Sequence, residues 1–150
     1  MRVSDILRVK GNTLYTLSPE HTLWSAVQTM AQHDIGSVVV MAEGRLAGIL
    51  TFREIINTLH ANGGQIGSGT IGAAMDTNPK TVTPETDVNE VRRLMLETHV
   101  RYLPVLEGHT LAGVISFYDV AKAVLEEQHL ENQMLKAYIR DWPEQESVSG

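Results

Sequence analysis

Leu111-Ala112-Gly113-Val114-Ile115-Ser116-Phe117-Tyr118-Asp119-Val120 decides how the chain is read. It is an apolar run ending in a hydroxyl, with a carboxylate three residues later, the pattern of a strand that turns straight into a helix. Sixty-five positions earlier, Leu46-Ala47-Gly48-Ile49-Leu50-Thr51-Phe52-Arg53-Glu54-Ile55 repeats it with small chemical changes. Working outward at the same offset, Leu17-Ser18-Pro19-Glu20 matches Val82-Thr83-Pro84-Glu85, Met30 matches Met95, and Val40 matches Val105. Upstream the offset grows to 68, pairing Val3 to Leu7 with Ile71 to Met75. The first copy therefore carries three extra residues, most simply within Val9-Lys10-Gly11-Asn12-Thr13. The chain is two copies of one unit.

Each unit opens on a short apolar segment, Ile6-Leu7 or Ala74-Met75, followed by an extended piece that ends at Pro19 or Pro84. Proline stops a strand and suits a first helical turn, so a helix is expected to start at each Pro-Glu pair. Leu23, Ala26, Val27, Met30 and Ala31 then follow helical spacing, as do Val88, Val91 and Met95. Two β-type runs come next in each unit, Ser37 to Met41 with Leu46 to Leu50, and Leu103 to Leu106 with Leu111 to Ile115. A glycine-containing turn joins each pair into a hairpin. A helix from about Arg53 to His60 closes unit one at Asn62-Gly63-Gly64. Neither half has a large core, and runs such as Val38-Val39-Val40 suit strands covered on both faces, so the halves are expected to pack together.

The expected organisation is a first unit over 1–62, a linker over 63–70, a second unit with its C-terminal helix over 71–140, and a tail over 141–150. Gly63-Gly64-Gln65-Ile66-Gly67-Ser68-Gly69 lacks the Lys-Ser/Thr ending and the preceding strand of a phosphate loop, and reads as a flexible linker. Val120, Val124, Leu130, Met134 and Tyr138 continue a helical stripe well past the repeat, either as extra core cover or as a partner face. Trp142-Pro143-Glu144 is expected to end it, and Ser147 to Gly150 to fray.

A chain of 150 residues, 43 % hydrophobic and 20 % charged, can fold without staples. No segment is apolar enough to span a bilayer, and no targeting segment follows Met1-Arg2-Val3-Ser4-Asp5, so no membrane partner is expected. The absence of cysteine excludes disulfides and zinc-thiolate sites, and fits a cytoplasmic setting. A net charge of −6 argues against a nucleic-acid partner, which would need a concentrated basic face. A small phosphate ligand needs only one or two local cations. The six histidines show no metal-ligand spacing, and no metal site is expected.

The simplest use of Thr51 with Glu54, and of Ser116 with Asp119, is helix capping. Thr51 with Glu54 fits the capping box well; Asp119 is shorter than the Glu or Gln that the pattern favours. The same geometry also suits a ligand. A helix start offers free N–H groups and a positive dipole end to an anion, with the hydroxyl as an added donor. Asp119, one turn in, could accept both hydroxyls of a ribose, and Gly113 would allow close approach.

With these motifs the chain resembles the CBS (cystathionine-β-synthase) domains, whose tandem pair is called a Bateman module. The resemblance runs from about Val3 to Val124. It rests on Gly48-Ile49-Leu50-Thr51-Phe52-Arg53-Glu54, on Gly113-Val114-Ile115-Ser116-Phe117-Tyr118-Asp119, on Arg101-Tyr102-Leu103-Pro104-Val105, and on the two Pro-Glu pairs. It implies an α/β (α+β) fold of two β-α-β-β-α repeats with pseudo-twofold symmetry, extended here by a longer C-terminal helix. It further implies two clefts that bind adenosine derivatives such as AMP, ADP, ATP, NAD or S-adenosylmethionine. Such pairs commonly form homodimers and regulate rather than catalyse.

Carried over residue by residue, the resemblance makes the clefts unequal. In the cleft served by unit two, Asp119 would hold the ribose, Ser116 the phosphate, and Arg101 phosphate oxygens. Leu7, Ile35, Gly36, Ser37 and Val114 would line the adenine slot. The other cleft would draw on Met75, Val100, Tyr102, Ile49, Thr51 and Glu54. There Glu54 stands where Asp is expected, and Gly36 where the arginine would be. About two charge-assisted hydrogen bonds are missing, each worth on the order of 1.5–3 kcal/mol, so this cleft is expected to be weak, empty or differently used.

The function expected is a regulatory module that binds an adenosine nucleotide, needs no cofactor, and signals to a separate effector protein. The alternative is a ligand-independent dimerisation or interaction module in which both motifs are only caps. No nucleophile, acid–base pair or metal constellation points to an enzyme, and no residue is assigned a catalytic role.

Overall fold

The computed structural model describes residues 1–11 and 13–141. Unit one runs α1 (Val3–Lys10), β1 (Thr16–Leu17), α2 (Leu23–His33), β2 (Ser37–Ala42), β3 (Arg45–Thr51) and α3 (Phe52–Ala61). Unit two runs α4 (Ile71–Ala74), α5 (Val88–Thr98), β4 (Tyr102–Glu107), β5 (Thr110–Ser116) and α6 (Phe117–Arg140). The hairpins β2–β3 and β4–β5 are antiparallel, and β1 joins the first in parallel by pairing Leu17 with Val40. Unit two keeps only the matching bridge, Val82 to Val105. Each hairpin shifts register at the same repeat position, between Val40 and Met41 and between Val105 and Leu106. The bulge is thus part of the repeated design.

The helices after the two prolines begin later than the Pro-Glu pairs suggest. Thr22 and Asp87 are the N-caps, their side-chain oxygens accepting from Ser25 N–H at 3.1 Å and Asn89 N–H at 2.8 Å. Pro19 and Pro84 instead use their carbonyls between units, where they accept from Gly72 N–H and Ser4 N–H, each at 2.9 Å.

Those bonds belong to an exchange of opening helices. Val3 N–H donates to Thr86 O at 2.9 Å, and Ile71 N–H to His21 O at 2.8 Å, so each opening helix docks on the opposite unit. The cores follow suit. Val3 and Ile6 lie in one cluster with Val91, Met95, Leu103 and Ile115, whereas Ile71 is buried with Leu23, Ala26, Val40 and Leu50. Residues 63–70 are also tied down rather than free: Leu23 N–H donates to Gly69 O at 2.9 Å, Ile66 packs against the cluster of Leu23, Val40 and Ile71, and Thr70 caps α4.

α6, at 24 residues, outruns the 10 residues of its counterpart α3. Val120 and Ala123 are buried, but Leu125, Leu130, Met134, Leu135 and Ile139 are exposed, so the distal stripe covers no core of this chain. The expected ending at Trp142-Pro143-Glu144 and the tail beyond Asp141 lie outside the described residues. No helix among the described residues is long and apolar enough to cross a membrane.

Candidate functional site

Two clefts open between the units, of about 760 and 750 Å³, each within the range of small-molecule sites. The second is lined by Leu7, Ile35, Gly36, Ser37, Arg101, Val114 and Ser116, which gathers seven of the eight residues named for it. The first is lined by Ile49, Thr51, Glu54, Val100 and Tyr102. Arg101, Tyr102 and Phe117 border both.

Cleft two is organised by the start of α6. Phe117 N–H donates to Arg101 O at 2.8 Å, which fastens the beginning of β4 to the helix N-terminus and sets Arg101 beside Ser116. Ser116 Oγ accepts from Asp119 N–H at 3.0 Å, and Asp119 Oδ2 accepts from Ser116 N–H at 2.9 Å. The capping box is therefore complete even with the shorter acid. No acceptor for the Ser116 hydroxyl hydrogen is found among the described residues, nor any partner for the exposed Arg101 guanidinium, so both donors are available to an anion.

Asp119 is the named residue that does not line this cleft directly. The Lys10 ammonium stands in front of it, 2.8 Å from Oδ2 and 2.9 Å from Val114 O. Lys10 comes from the stretch that breaks the repeat, and α1 reaches it by running to eight residues against four in α4. Gly113 is the other precondition. A Cβ there would stand 2.9 Å from Leu7 Cδ2, so glycine lets α1 lie against β5.

Cleft one departs in three ways. Thr51 uses its hydroxyl hydrogen on Glu54, 2.8 Å from Oε1, and its N–H donates to the same oxygen at 2.7 Å. Neither group is left for a ribose or a phosphate. The edge of β3 is closed as well, because Ile49 N–H donates to Asp76 O at 3.0 Å and Asp76 N–H to Ile49 O at 2.9 Å. Met75 does not line this cleft: it packs against Gly48 and the cluster of Leu23, Val40 and Ile71, where a Cβ on Gly48 would collide with the Asp76 carbonyl and stand 3.0 Å from Met75 Sδ. The cleft is not short of cations, however. Arg53, Lys80 and Arg101 line it, so it can attract an anion, while Glu54 at the Asp119 position has one oxygen taken up by Thr51.

Sequence reasoning missed Lys10, Arg53 and Lys80, and it missed the wall of cleft two formed by Tyr15 and His33, whose rings stack at 4.0 Å. The small pocket against Gly36 was also unforeseen. A Cβ there would collide with the Tyr102 hydroxyl, so the glycine that replaces an arginine makes room for a tyrosine from the other unit. Burial pushes the Tyr102 phenol up from its ordinary value; Arg101 draws it down and Asp119 adds to the rise. Among the described residues, no group of three His, Asp or Glu side chains converges as a metal site would require.

The chain belongs to the CBS-domain family, whose model matches residues 3–61 and 71–126. The two matched spans are the two repeat units, so the chain carries a tandem CBS pair. It is 34 % identical over 147 residues to the mitochondrial CBS domain-containing protein CBSX3 of Arabidopsis thaliana, covering 92 % of this chain and 71 % of that one. A CBS-domain protein from Agrobacterium tumefaciens superposes with a TM-score of 0.78 at 31 % identity, over 82 % of this chain and 98 % of the other. CBSX2, solved in complex with AMP, has the same fold with a TM-score of 0.71 at 22 % identity, over 85 % and 98 % of the two chains.

Proposed function

We propose that the protein is a regulatory module that binds an anionic adenosine nucleotide, AMP, ADP, ATP or an NAD-like dinucleotide, in cleft two. The observation that carries this reading is the Phe117 N–H to Arg101 O bond, which sets an unpaired guanidinium beside a helix start whose hydroxyl still has a hydrogen to donate. Arg101, Ser116 and the α6 N-terminus form an anion site. Asp119 supplies the ribose acceptor, and Leu7, Ile35, Gly36, Ser37 and Val114, beside the Tyr15–His33 stack, give an adenine a flat, largely apolar slot. AMP in the structurally similar CBSX2 supports the ligand class.

Regulation follows from where the cleft lies. Its walls come from both units, so a ligand that fits one arrangement of them better than another shifts their packing. A separate effector protein reads that shift, and two copies of the chain associate as a homodimer. No catalytic residue and no cofactor is needed for this role. A reducing compartment suits it; the cytoplasm is the simplest choice, while the Arabidopsis relative's name points to mitochondria.

A thermal-shift panel with AMP, ATP, NAD and S-adenosylmethionine tests the reading, because a ligand of the native state raises apparent stability by RT ln(1 + [L]/Kd). AMP should raise the midpoint, Asp119→Ala should abolish the rise, and Glu54→Ala should leave most of it. No shift with any adenosine compound at millimolar concentration would favour the ligand-independent interaction module. Equal loss from both substitutions would show the clefts to be equivalent.

A further inference from the structure

We infer that Lys10 is a latch that selects charged nucleotides over uncharged nucleosides in cleft two. The inference rests on the nucleotide reading of that cleft. In unit one, the edge of β3 is sealed by backbone: Ile49 exchanges two hydrogen bonds with Asp76. Val114 is the repeat counterpart of Ile49, and its carbonyl is held by a side chain, the Lys10 ammonium at 2.9 Å. The same ammonium binds Asp119 Oδ2 at 2.8 Å. One flexible cation therefore covers the strand edge that would read a base and the carboxylate that would hold a ribose. A backbone seal cannot withdraw without unfolding its segment, whereas a lysine can swing on its four-carbon stem.

The position is particular to this cleft. At the repeat offset of 68, Lys10 corresponds to Asn78, whose N–H is turned back to Asp76 Oδ1 at 3.0 Å. Lys10 is also partly exposed, with 37 % of its side chain accessible against 16 % for Asp119, so it has room to leave.

The selectivity follows from what replaces the broken bonds. A ribose that takes Asp119 displaces Lys10 from its counter-ion. With AMP, the released ammonium finds phosphate oxygens in the same cleft, next to Arg101 and Ser116. Adenosine offers no anion, and S-adenosylmethionine carries its single carboxylate beside an ammonium and a sulfonium, so its net positive charge gives the lysine a poorer partner than a phosphate. The bound lysine thus opposes every adenosine ligand, and only the anionic ones restore its charge pairing.

Calorimetric titration of the full chain with AMP and with adenosine tests this on wild type, Lys10→Gln and Lys10→Arg. Wild type should prefer AMP. Lys10→Gln should narrow the AMP-to-adenosine ratio by about tenfold, the loss of one charge-assisted contact, with adenosine binding unchanged or tighter. Lys10→Arg keeps the charge and should keep the preference. An unchanged ratio in Lys10→Gln, with both compounds still bound, would overturn the latch and leave the nucleotide reading standing. Absence of binding by either compound to wild type would overturn both. Thermal melts of the unliganded variants check folding, and Lys10→Arg supplies the folded comparison if Lys10→Gln is unstable.

Discussion

Tyr102 is shared by the two clefts. Its hydroxyl fills the space left by Gly36, its flanks border both clefts, and its phenol lies between Arg101 and Asp119 in the sense that one lowers and the other raises its proton affinity. Burial is the largest influence, and it holds the phenol above the ordinary 10.0. Between the unfolded and folded values the native state binds more protons, so stability is intact below about pH 10 and falls as pH rises through the folded value. Tyr102→Phe should remove that part of the alkaline loss, measured as the difference in urea midpoints on going from pH 9 to pH 11; an identical loss in both proteins would refute it. Removing Arg101 should raise the phenolate titration further. At this scale the sequence was informative where residues recur at repeat offsets: Ser116, Asp119 and Arg101 could be placed together because Thr51, Glu54 and Gly36 mark the same positions. Lys10 could not, because its bond to Asp119 spans 109 positions and the residue opposite it at the 68 offset, Asn78, carries no charge.

Among the elements, the opening helices are the least expected feature. The short apolar segments Ile6-Leu7 and Ala74-Met75 mark where each unit opens, but say nothing of which core they enter, and both units offer chemically similar partners. The deciding information is in backbone bonds such as Val3 N–H to Thr86 O, which no side-chain pattern encodes. A crossed effect of mutation follows. Ile6→Ala removes buried volume from the unit-two cluster and should cost about 2–4 kcal/mol. Native-state hydrogen exchange should then lose protection first in β4 and β5, although Ile6 belongs to unit one by sequence. Ile71→Ala should do the converse and weaken β2 and β3. If each substitution weakened its own sequence unit, the docking of α1 and α4 would be wrong. The strands and the ends of α3 were more readable, because short continuous apolar runs and the Asn62-Gly63-Gly64 stop are local signals, and Gly63 and Gly64 do take positive φ angles of 64° and 92°.

For the whole molecule, the exposed apolar stripe on the distal half of α6 is the surface through which the proposed homodimer would form. Two readings of its apolar stripe were open from sequence, and exposure of Leu130, Met134, Leu135 and Ile139 removes the core-cover reading for this chain. Charge names the occupant. Glu126, Glu127 and Glu131 precede the middle of the stripe, while Lys136 and Arg140 follow it. Two such helices related by a twofold axis perpendicular to them run antiparallel, which sets the acidic half of each against the basic half of the other; a twofold along the helices would pair them in parallel and oppose like charges. Arg140 also approaches Asp141 at 3.7 Å, but both are so exposed that this pair is weak and leaves Arg140 able to face a second copy. Sedimentation equilibrium should therefore find a dimer in wild type. Met134→Glu replaces an apolar seam residue worth about 1.5–3 kcal/mol with a charge, and should weaken association by at least about tenfold. Glu131→Lys should weaken it less, and adding Lys136→Glu in the same chain should restore it, because the swap reverses both partners of the antiparallel pairing. A wild-type monomer, or a Met134→Glu chain that dimerises as well as wild type, would exclude α6 as the interface.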